Sequence, residues 1–210
     1  MSKKKLVIAT NNPDKFREIM AILDKLPLDF TPLGSMNLPE ETGKTLEENA
    51  ILKAKAASEF FNEIALADDT GLEVEILGNA PGIYSARFAG VGNAAPSAAN
   101  YKRNREKLLT LLEDKPMEQR KAKFRCVVAV VHHGVTNSDD IKTFEGEVKG
   151  YITDKEIGKQ GFGYDSVFLV SEFGKTFAQL TAEEKNKISH RAIALLKAKK
   201  YLENLINIGE

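Results

Sequence analysis

The 210-residue chain has one cysteine, seven prolines, no long hydrophobic run and no excess of either charge. Cys126 has no second cysteine with which to form an internal disulfide, so we interpret it as a core thiol. The longest apolar run, residues 126–131, is too short to cross a bilayer. Thirty basic residues balance thirty acidic ones, so no global field would attract nucleic acid or a membrane. We therefore predict neither partner.

The remaining composition is that of an ordinary globular protein, with 42% apolar and 29% charged residues. The length suffices for one domain or for two lobes that share a core. The apolar stretch near the N-terminus, residues 6–9, is too short for a signal sequence. We find no repeat, low-complexity segment or linker. The sequence therefore predicts a cytoplasmic protein with a single domain over residues 1–210.

Helical and strand-like patterns alternate along the chain. Residues 5–10 read as a buried strand, and Asn12-Pro13 is typical of a helix N-cap followed by the first turn. We expect that helix to end at Pro27. Residues 45–48 and 181–184 resemble capping boxes, and Ser189 is the expected cap of the last helix. Residues 121–132 and 140–151 have the length of a long hairpin. The pattern predicts an α/β fold with a mixed sheet.

The clearest chemical signal is the segment IALADDTGLEVEIL, residues 64–77. An apolar, strand-like run leads to Asp68 and Asp69, and we expect the strand to end there. Adjacent strand residues face opposite ways, so the two acids should have different roles. Mg²⁺ is usually held by one or two carboxylates plus phosphate oxygens and water. A pair such as Glu41 and Asp69 would suffice, whereas Glu48 is already explained by helix capping.

A second signal is ATNNPDK, residues 9–15, where a strand leads into a helix N-terminus. Free backbone N–H groups and the helix dipole favour phosphate at such a position, and Lys15 would add a positive charge. The alternative is an ordinary Asn-Pro helix start with a surface lysine. The chain has no GxxxxGK[ST] segment, which excludes a P-loop.

The third signal lies in GFGYD, residues 161–165. Two glycines allow close backbone approach, while Phe162 and Tyr164 offer surfaces on which a base could stack. The alternative is a tight turn before a buried strand.

His190 and Arg191 fall in the first turn of the last helix, where the helix dipole disfavours cations. Residues that break a local rule in this way indicate a functional use.

Six segments in this order resemble the inosine triphosphate pyrophosphatase family, which acts on non-standard purine nucleotides. They are TNNPDKFREI, EETGKTLEENAILKA, ALADDTGLEV, GNAPGIYSARFAG, GFGYDSVF and LTAEEKNKISHR. The resemblance implies an elongated, two-lobed α/β fold around a long mixed sheet, with the nucleotide in the cleft between the lobes. It also implies a homodimer. The implied reaction is the Mg²⁺-dependent hydrolysis of ITP, dITP and XTP to the monophosphate and pyrophosphate.

The same resemblance implies site residues. Asp69 matches the acid that serves as proton acceptor and Mg²⁺ ligand, and Glu41 matches a second metal-associated acid. The positions that match nucleotide contacts are Thr10, Asn11, Asn12, Pro13, Asp14, Lys15, Thr70, Phe162, Gly163, Tyr164, Asp165, Lys185, His190 and Arg191. Thr70 stands where serine is commoner in the family, and Ser166 follows GFGYD where proline is usual. Neither difference removes chemistry.

Two rival functions stay open at this point. One is a pyrophosphatase for a different modified nucleotide, such as a pyrimidine, on the same scaffold. The other is a nucleotide-binding sensor that has lost turnover, against which the intact Lys15, Asp69, Lys185 and His190 argue. For a purine substrate, donors such as Arg191 or backbone N–H groups near residues 162–165 would pair with a 6-keto group and oppose adenine.

Overall fold

The structure is a computed structural model that describes residues 4–90, 96–132 and 140–207. The described residues form eight strands: β1 Lys5–Ile8, β2 Asp29–Pro32, β3 Ile64–Val74, β4 Ala80–Gly82, β5 Lys121–His132, β6 Asp140–Ile152, β7 Phe168–Val170 and β8 Lys175–Thr176. The α-helices are α1 Pro13–Leu23, α2 Leu46–Phe61, α3 Ala98–Leu111, α4 Ala182–Ile188 and α5 His190–Asn207.

The strands form one mixed sheet in the order β2-β1-β3-β5-β6-β7-β8, and β4 pairs with β3. β1 runs parallel to both β2 and β3. β4 is antiparallel to β3, and β7 is antiparallel to both β6 and β8. The predicted α/β fold with a mixed sheet is confirmed. The two long strands predicted from the central segment are β5 and β6, which are neighbours in the order.

The chain divides into two compact units. Unit 1 comprises residues 1–69, 126–146 and 191–210, and unit 2 comprises residues 70–125 and 147–190. The single domain predicted over residues 1–210 stays a prediction. No helix among the described residues has the length and apolar character needed to span a membrane.

Each unit has its own hydrophobic core. In unit 1, buried side chains of β1, α1 and α5 pack with those of the first part of β3 and the last part of β5; they include Leu6, Ile8, Ile19, Leu23, Leu66, Val128 and Leu195. In unit 2, the core is rich in aromatic rings and includes Leu72, Leu108, Phe124, Phe168 and Phe177. Cys126 is fully buried, as expected of a core thiol.

Most helix starts follow from the sequence, whereas some ends do not. Asn12 caps α1 and Pro13 is its first residue, as predicted. The helix ends at Leu23, because the next turn tightens and the Leu26 N–H donates to the Leu23 carbonyl. The prediction that it continues to Pro27 is therefore wrong.

Both predicted capping segments begin a helix. Thr181 and Glu184 form the complete reciprocal box at α4. At α2 the Thr45 hydroxyl accepts from the Glu48 N–H at 3.1 Å, but the Glu48 carboxylate accepts from the Lys44 N–H. Only half of the predicted box is present there.

The expected end of a strand at Asp68 and Asp69 is not observed. β3 continues through both acids and through Thr70 to Val74. The reason is that its first part pairs with β1 and its last part pairs with β4, so partners hold the strand extended on both sides of the acids. Both carboxylates consequently project from the middle of a strand.

Candidate active site

The register between β1 and β3 brings two predicted site segments together, residues 9–15 and the acidic part of residues 64–77. Ile8 lies opposite Leu66, and the Ala9 N–H donates to the Leu66 carbonyl at 2.7 Å. Because the two strands are parallel, the chain leaves β1 beside the part of β3 that carries the acids. The first turn of α1 follows, and Lys15 of this turn reaches Asp68.

Asp68 is the centre of a buried charge cluster in unit 1. Its Oδ2 lies 3.0 Å from Lys15 Nζ and 3.2 Å from Arg191 Nε. Arg191 also pairs with Glu18 of α1. The charges therefore alternate along Lys15, Asp68, Arg191 and Glu18. Two carboxylates beside Arg191 explain why a cation is tolerated at the start of α5 despite the helix dipole.

Asp69 has a different set of partners, all of them in unit 1. Lys53 Nζ lies 3.0 Å from Asp69 Oδ1 and 2.7 Å from Glu41 Oε1. Asn49 donates its amide to Asp69 Oδ2 at 3.3 Å. The two neighbouring acids thus contact different cations, as their opposite orientation along the strand predicts.

The surroundings move the two pKa values in opposite directions. Burial alone would raise the pKa of Asp68, but the charges of Lys15 and Arg191 outweigh burial and hold that pKa well below its usual range. For Asp69, burial raises the pKa and the nearby Glu41 carboxylate adds to the increase, while Lys53 and Lys15 oppose it. Asp68 is therefore a permanent anion, and Asp69 is the acid better suited to accept a proton.

Helix α2 positions the partners of Asp69. Asn49 and Lys53 are four residues apart and share one helix face, and both are buried. The Asn49 Oδ1 also accepts from the Gly43 N–H at 2.8 Å. A Cβ at Gly43 would lie 2.6 Å from that oxygen, so only glycine permits this close approach. The loop before α2 is thereby tied to the residue that contacts Asp69.

The helix start at residues 10–15 differs from the expectation of open N–H groups. Asn12 Oδ1 accepts from the Asp14 N–H at 2.9 Å and from the Lys15 N–H at 3.3 Å. Thr10 Oγ1 in turn accepts from the Asn12 N–H at 3.2 Å. Asn11 and Pro13 are exposed. These three N–H groups are therefore paired within the segment, and the Lys15 ammonium lies beside Asp68.

In unit 2, the Gly161–Asp165 turn is organised around one buried carboxylate. Asp165 Oδ2 accepts from the Phe162 N–H at 2.8 Å and pairs with Lys185 of α4. Lys185 Nζ also lies 4.8 Å from the centre of the Phe162 ring. Gly161 and Gly163 both have positive φ, which the turn requires and which L side chains rarely adopt. The partly exposed Phe162 ring is the aromatic surface that this turn presents.

Two other predicted contact residues are buried in unit 2. Tyr164 donates its hydroxyl to the Ser85 carbonyl at 2.9 Å, and its ring belongs to the hydrophobic core. His190 stacks on Phe124 with ring centres 4.5 Å apart. Thr70 is half-buried in β3. The structure tests none of these nucleotide contacts, which stay predictions.

Comparison with known proteins identifies the family. A model of the Ham1 family matches residues 6–201. The chain belongs to the Ham1 family. It is 47% identical over 201 residues to a dITP/XTP pyrophosphatase of Thermoanaerobacter sp. (strain X514), which covers 94% of this chain and 96% of the relative. It is 45% identical over 203 residues to a dITP/XTP pyrophosphatase of Bacillus subtilis (strain 168), covering 95% and 98%.

Solved structures of Ham1 proteins have the same fold. The Staphylococcus aureus Ham1 protein superposes with a TM-score of 0.79 at 39% sequence identity, over 96% of this chain and 99% of that one. A HAM1 protein from Coxiella burnetii gives 0.81 at 37% identity, over 96% and 99%. Family and fold both agree with the resemblance inferred from the sequence.

Some residues of this Ham1-family site were not predicted as site residues. Lys53, Asn49 and Glu18 all contact acids or cations of the site, yet each looks like an ordinary polar helix residue in the sequence. One signal was present for two of them, since Asn49 and Lys53 lie near the small apolar stripe of α2. Polar residues that share a buried helix face need a polar partner, and here the partner is Asp69.

The carboxylates do not form a ready-made metal cage. Within the described ranges, no group of three or more histidine, cysteine or acidic side chains has the arrangement of a metal site. Glu41 and Asp69 nevertheless direct one oxygen each at the same cation, the Lys53 ammonium. This pair therefore fits a hard ion that takes its other ligands from substrate and water.

Proposed function

We propose that this Ham1-family chain hydrolyses dITP, XTP and ITP to the monophosphate and pyrophosphate, and so removes deaminated purines from the nucleotide pool. The observation that carries the proposal is the pair of neighbouring acids, Asp68 and Asp69, which contact different cations. Lys15 pairs with the first and Lys53 with the second. Relatives with 45–47% identity over nearly the whole chain are dITP/XTP pyrophosphatases, which supports the same activity here.

In the proposed mechanism, Asp69 orients the attacking water and accepts its proton. Its place in the middle of β3, with Lys53 and Asn49 each fixing one carboxylate oxygen, supports that role. Lys15, held by the permanent anion Asp68, offers its ammonium to a phosphate oxygen and stabilises the charge that develops as the bond between the α- and β-phosphates breaks. Lys53 holds Asp69 and Glu41 in place before the nucleotide arrives.

We propose Mg²⁺ as the cofactor, with Asp69 and Glu41 as its protein ligands. Two carboxylate oxygens that converge on one positive charge are the donor set that Mg²⁺ uses when phosphate and water complete its shell. When bound, the ion would supply neutralisation of the triphosphate charge.

We further propose that the Phe162 ring stacks on the base and that Lys185 contributes charge beside it. Support comes from the partly exposed ring of Phe162 and from the ammonium 4.8 Å from its centre. The other nucleotide contacts implied by the family resemblance, including His190 and Arg191, belong to this proposal as well.

The proposed oligomer is a homodimer, and the proposed location is the cytoplasm, where free nucleotides are found. The homodimer rests on the family resemblance, and the location is the one expected from the sequence. Size-exclusion chromatography with light scattering tests the first: twice the mass of one chain is expected, and the mass of a single chain would contradict it.

Identification of both products tests the activity itself. Purified protein with Mg²⁺ and dITP should release dIMP and pyrophosphate in equal amounts, with little turnover of dUTP or dTTP. Orthophosphate as the product would contradict the pyrophosphatase chemistry. Preference for a pyrimidine would favour the rival pyrophosphatase, and binding without any turnover would favour the sensor.

A further inference from the structure

The Gly161–Asp165 turn is held from a second side by residues that no assigned role covers. Arg105 of α3 donates from Nη1 to the Gly163 carbonyl at 2.8 Å. Its Nε lies 3.0 Å from Glu156 Oε2. The Ser166 hydroxyl, directly after the turn, donates to the same Glu156 oxygen at 3.1 Å. These contacts form a closed ring from Ser166 through Glu156 and Arg105 back to Gly163.

This ring complements the internal support of the turn. Asp165 and Lys185 fix the turn from inside unit 2 through the Phe162 N–H. Gly163 has φ of +61°, and no atom lies within 4 Å of the position that a Cβ would take, so nothing packs against that side of the residue. The Asp165 N–H donates to the Phe162 carbonyl at 3.1 Å on one side of Gly163, and the Arg105 hydrogen bond holds the Gly163 carbonyl on the other.

The ring also borders a cavity of about 120 Å³ beside the turn. Arg105, Glu156, Gly161, Phe162 and Ser166 contribute to its lining. Phe162 therefore presents its ring next to the residues that hold the Gly163 peptide. A change in that peptide would move the aromatic surface proposed to receive the base.

We propose that Arg105 is a positioning residue for nucleotide binding, which Glu156 and Ser166 orient so that it fixes the Gly163 carbonyl and with it the Phe162 ring. The inference rests on the proposed function, because it assigns these residues to the base-binding turn of that site. It gives Ser166 a specific use, since its hydroxyl completes the ring.

Solvent reaches the Glu156 end of the ion pair in the ring, which limits what the pair contributes to stability. The Arg105 side chain is 16% exposed and that of Glu156 is 39% exposed. Ion pairs at such positions are screened by water and contribute little to folding. Loss of Arg105 should therefore leave the protein folded and change how well the turn is ordered for binding.

The test measures binding of α,β-methylene ITP by calorimetry, together with KM and kcat for ITP. Arg105→Ala should raise Kd and KM about tenfold, the value of one charge-assisted hydrogen bond, with kcat within about twofold of wild type. Arg105→Lys should recover part of the loss, because an ammonium still reaches the carbonyl but lacks the second nitrogen that contacts Glu156. Arg103→Ala, on the exposed side of the same helix, is the matched control and should match wild type.

A double-mutant cycle tests whether Ser166 acts through Arg105, as the closed ring of contacts requires. Ser166→Ala should raise Kd by a smaller factor, and adding it to Arg105→Ala should cause no further loss, because Ser166 acts through Arg105. Should Arg105→Ala prove unstable on thermal unfolding, the lysine and Ser166 variants make the same comparison. Wild-type Kd in Arg105→Ala would overturn the inference, as would an additive double variant. Absence of ITP binding by the wild type would instead contradict the proposed function together with this inference.

Discussion

Asp68 and Asp69 are adjacent in the chain, but their surroundings prepare them for different roles. Asp68 lies between Lys15 and Arg191 and stays ionised, whereas burial and Glu41 raise the pKa of Asp69. A buried permanent anion organises cations, and a carboxylate with a raised pKa accepts protons. Changing Asp69 to its amide should therefore lower mainly turnover, whereas changing Asp68 should lower mainly stability.

Asp69→Asn should fold normally and lose at least about two orders of magnitude in kcat, because general-base catalysis is worth roughly 10²–10⁴. Its effect on the free energy of unfolding should be smaller than that of Asp68→Asn, because a raised pKa means that the charged form of Asp69 gains little from folding, and Lys53 keeps Glu41 as a partner. Steady-state kinetics and a chemical denaturation curve measure both. Near-normal turnover would remove Asp69 from its proposed role.

Asp68→Asn should instead lower the free energy of unfolding by about 2 kcal/mol or more. Removing one partner of a fully buried ion pair costs about 3–5 kcal/mol. Here the cost is reduced because Lys15 is partly exposed and Arg191 keeps Glu18. The Asp69→Asn protein is the matched control in the same denaturation experiment. Equal stabilities for the two variants would contradict the separation of roles.

The sequence predicted the acids of the site better than their partners. The pair Asp68-Asp69 was recognisable because two carboxylates in an apolar run need polar or charged partners. Their opposite orientation followed from the alternation of side chains along a strand. Glu18 was not recognisable, because polar residues are expected on any helix, and the one signal for Lys53 was its place near the apolar stripe of α2. Only the packing of α1 and α2 determines which of them face an acid.

The secondary-structure elements follow from local signals where those signals are strong. The cap at Asn12, the box at Thr181 and both long central strands lie where the sequence predicts them. The continuation of β3 through its acids was missed because pairing with β1 and β4, rather than local preference, keeps those residues extended. Long-range pairing of this kind has no signature within a short window of sequence.

Helix α4 provides a test of such a local signal. Thr181 accepts from the Glu184 N–H and Glu184 accepts from the Thr181 N–H, at 3.2 and 2.7 Å. Thr181→Ala should lower the free energy of unfolding by about 1 kcal/mol through loss of the cap. Thr110→Ala, at an exposed site in α3, removes the same atoms without removing a cap and should not destabilise. Equal effects from the two changes would refute the capping argument.

At the scale of the whole molecule, the chemistry predicts dependence on a hard divalent ion. The proposed ligands Glu41 and Asp69 offer only carboxylate oxygens, which suit Mg²⁺ better than softer metals. EDTA should abolish turnover, and added Mg²⁺ should restore it. Full activity in excess chelator, verified by metal analysis of the sample, would contradict the cofactor assignment.

Selectivity among bases tests the proposed function. Hypoxanthine and xanthine carry a 6-keto group that accepts a hydrogen bond, whereas adenine carries an amino group that donates one. Each buried donor left unpaired costs about 1–3 kcal/mol, and about 1.4 kcal/mol corresponds to tenfold in kcat/KM. Two such mismatches give about a hundredfold discrimination.

The decisive measurement is kcat/KM for ITP, dITP, XTP and ATP with Mg²⁺, in one preparation and under one set of conditions. The proposed function predicts that each of the first three exceeds ATP by at least about a hundredfold, with pyrophosphate as the common product. Comparable kcat/KM values for ITP and ATP would contradict the assignment of this chain to the removal of deaminated purine nucleotides.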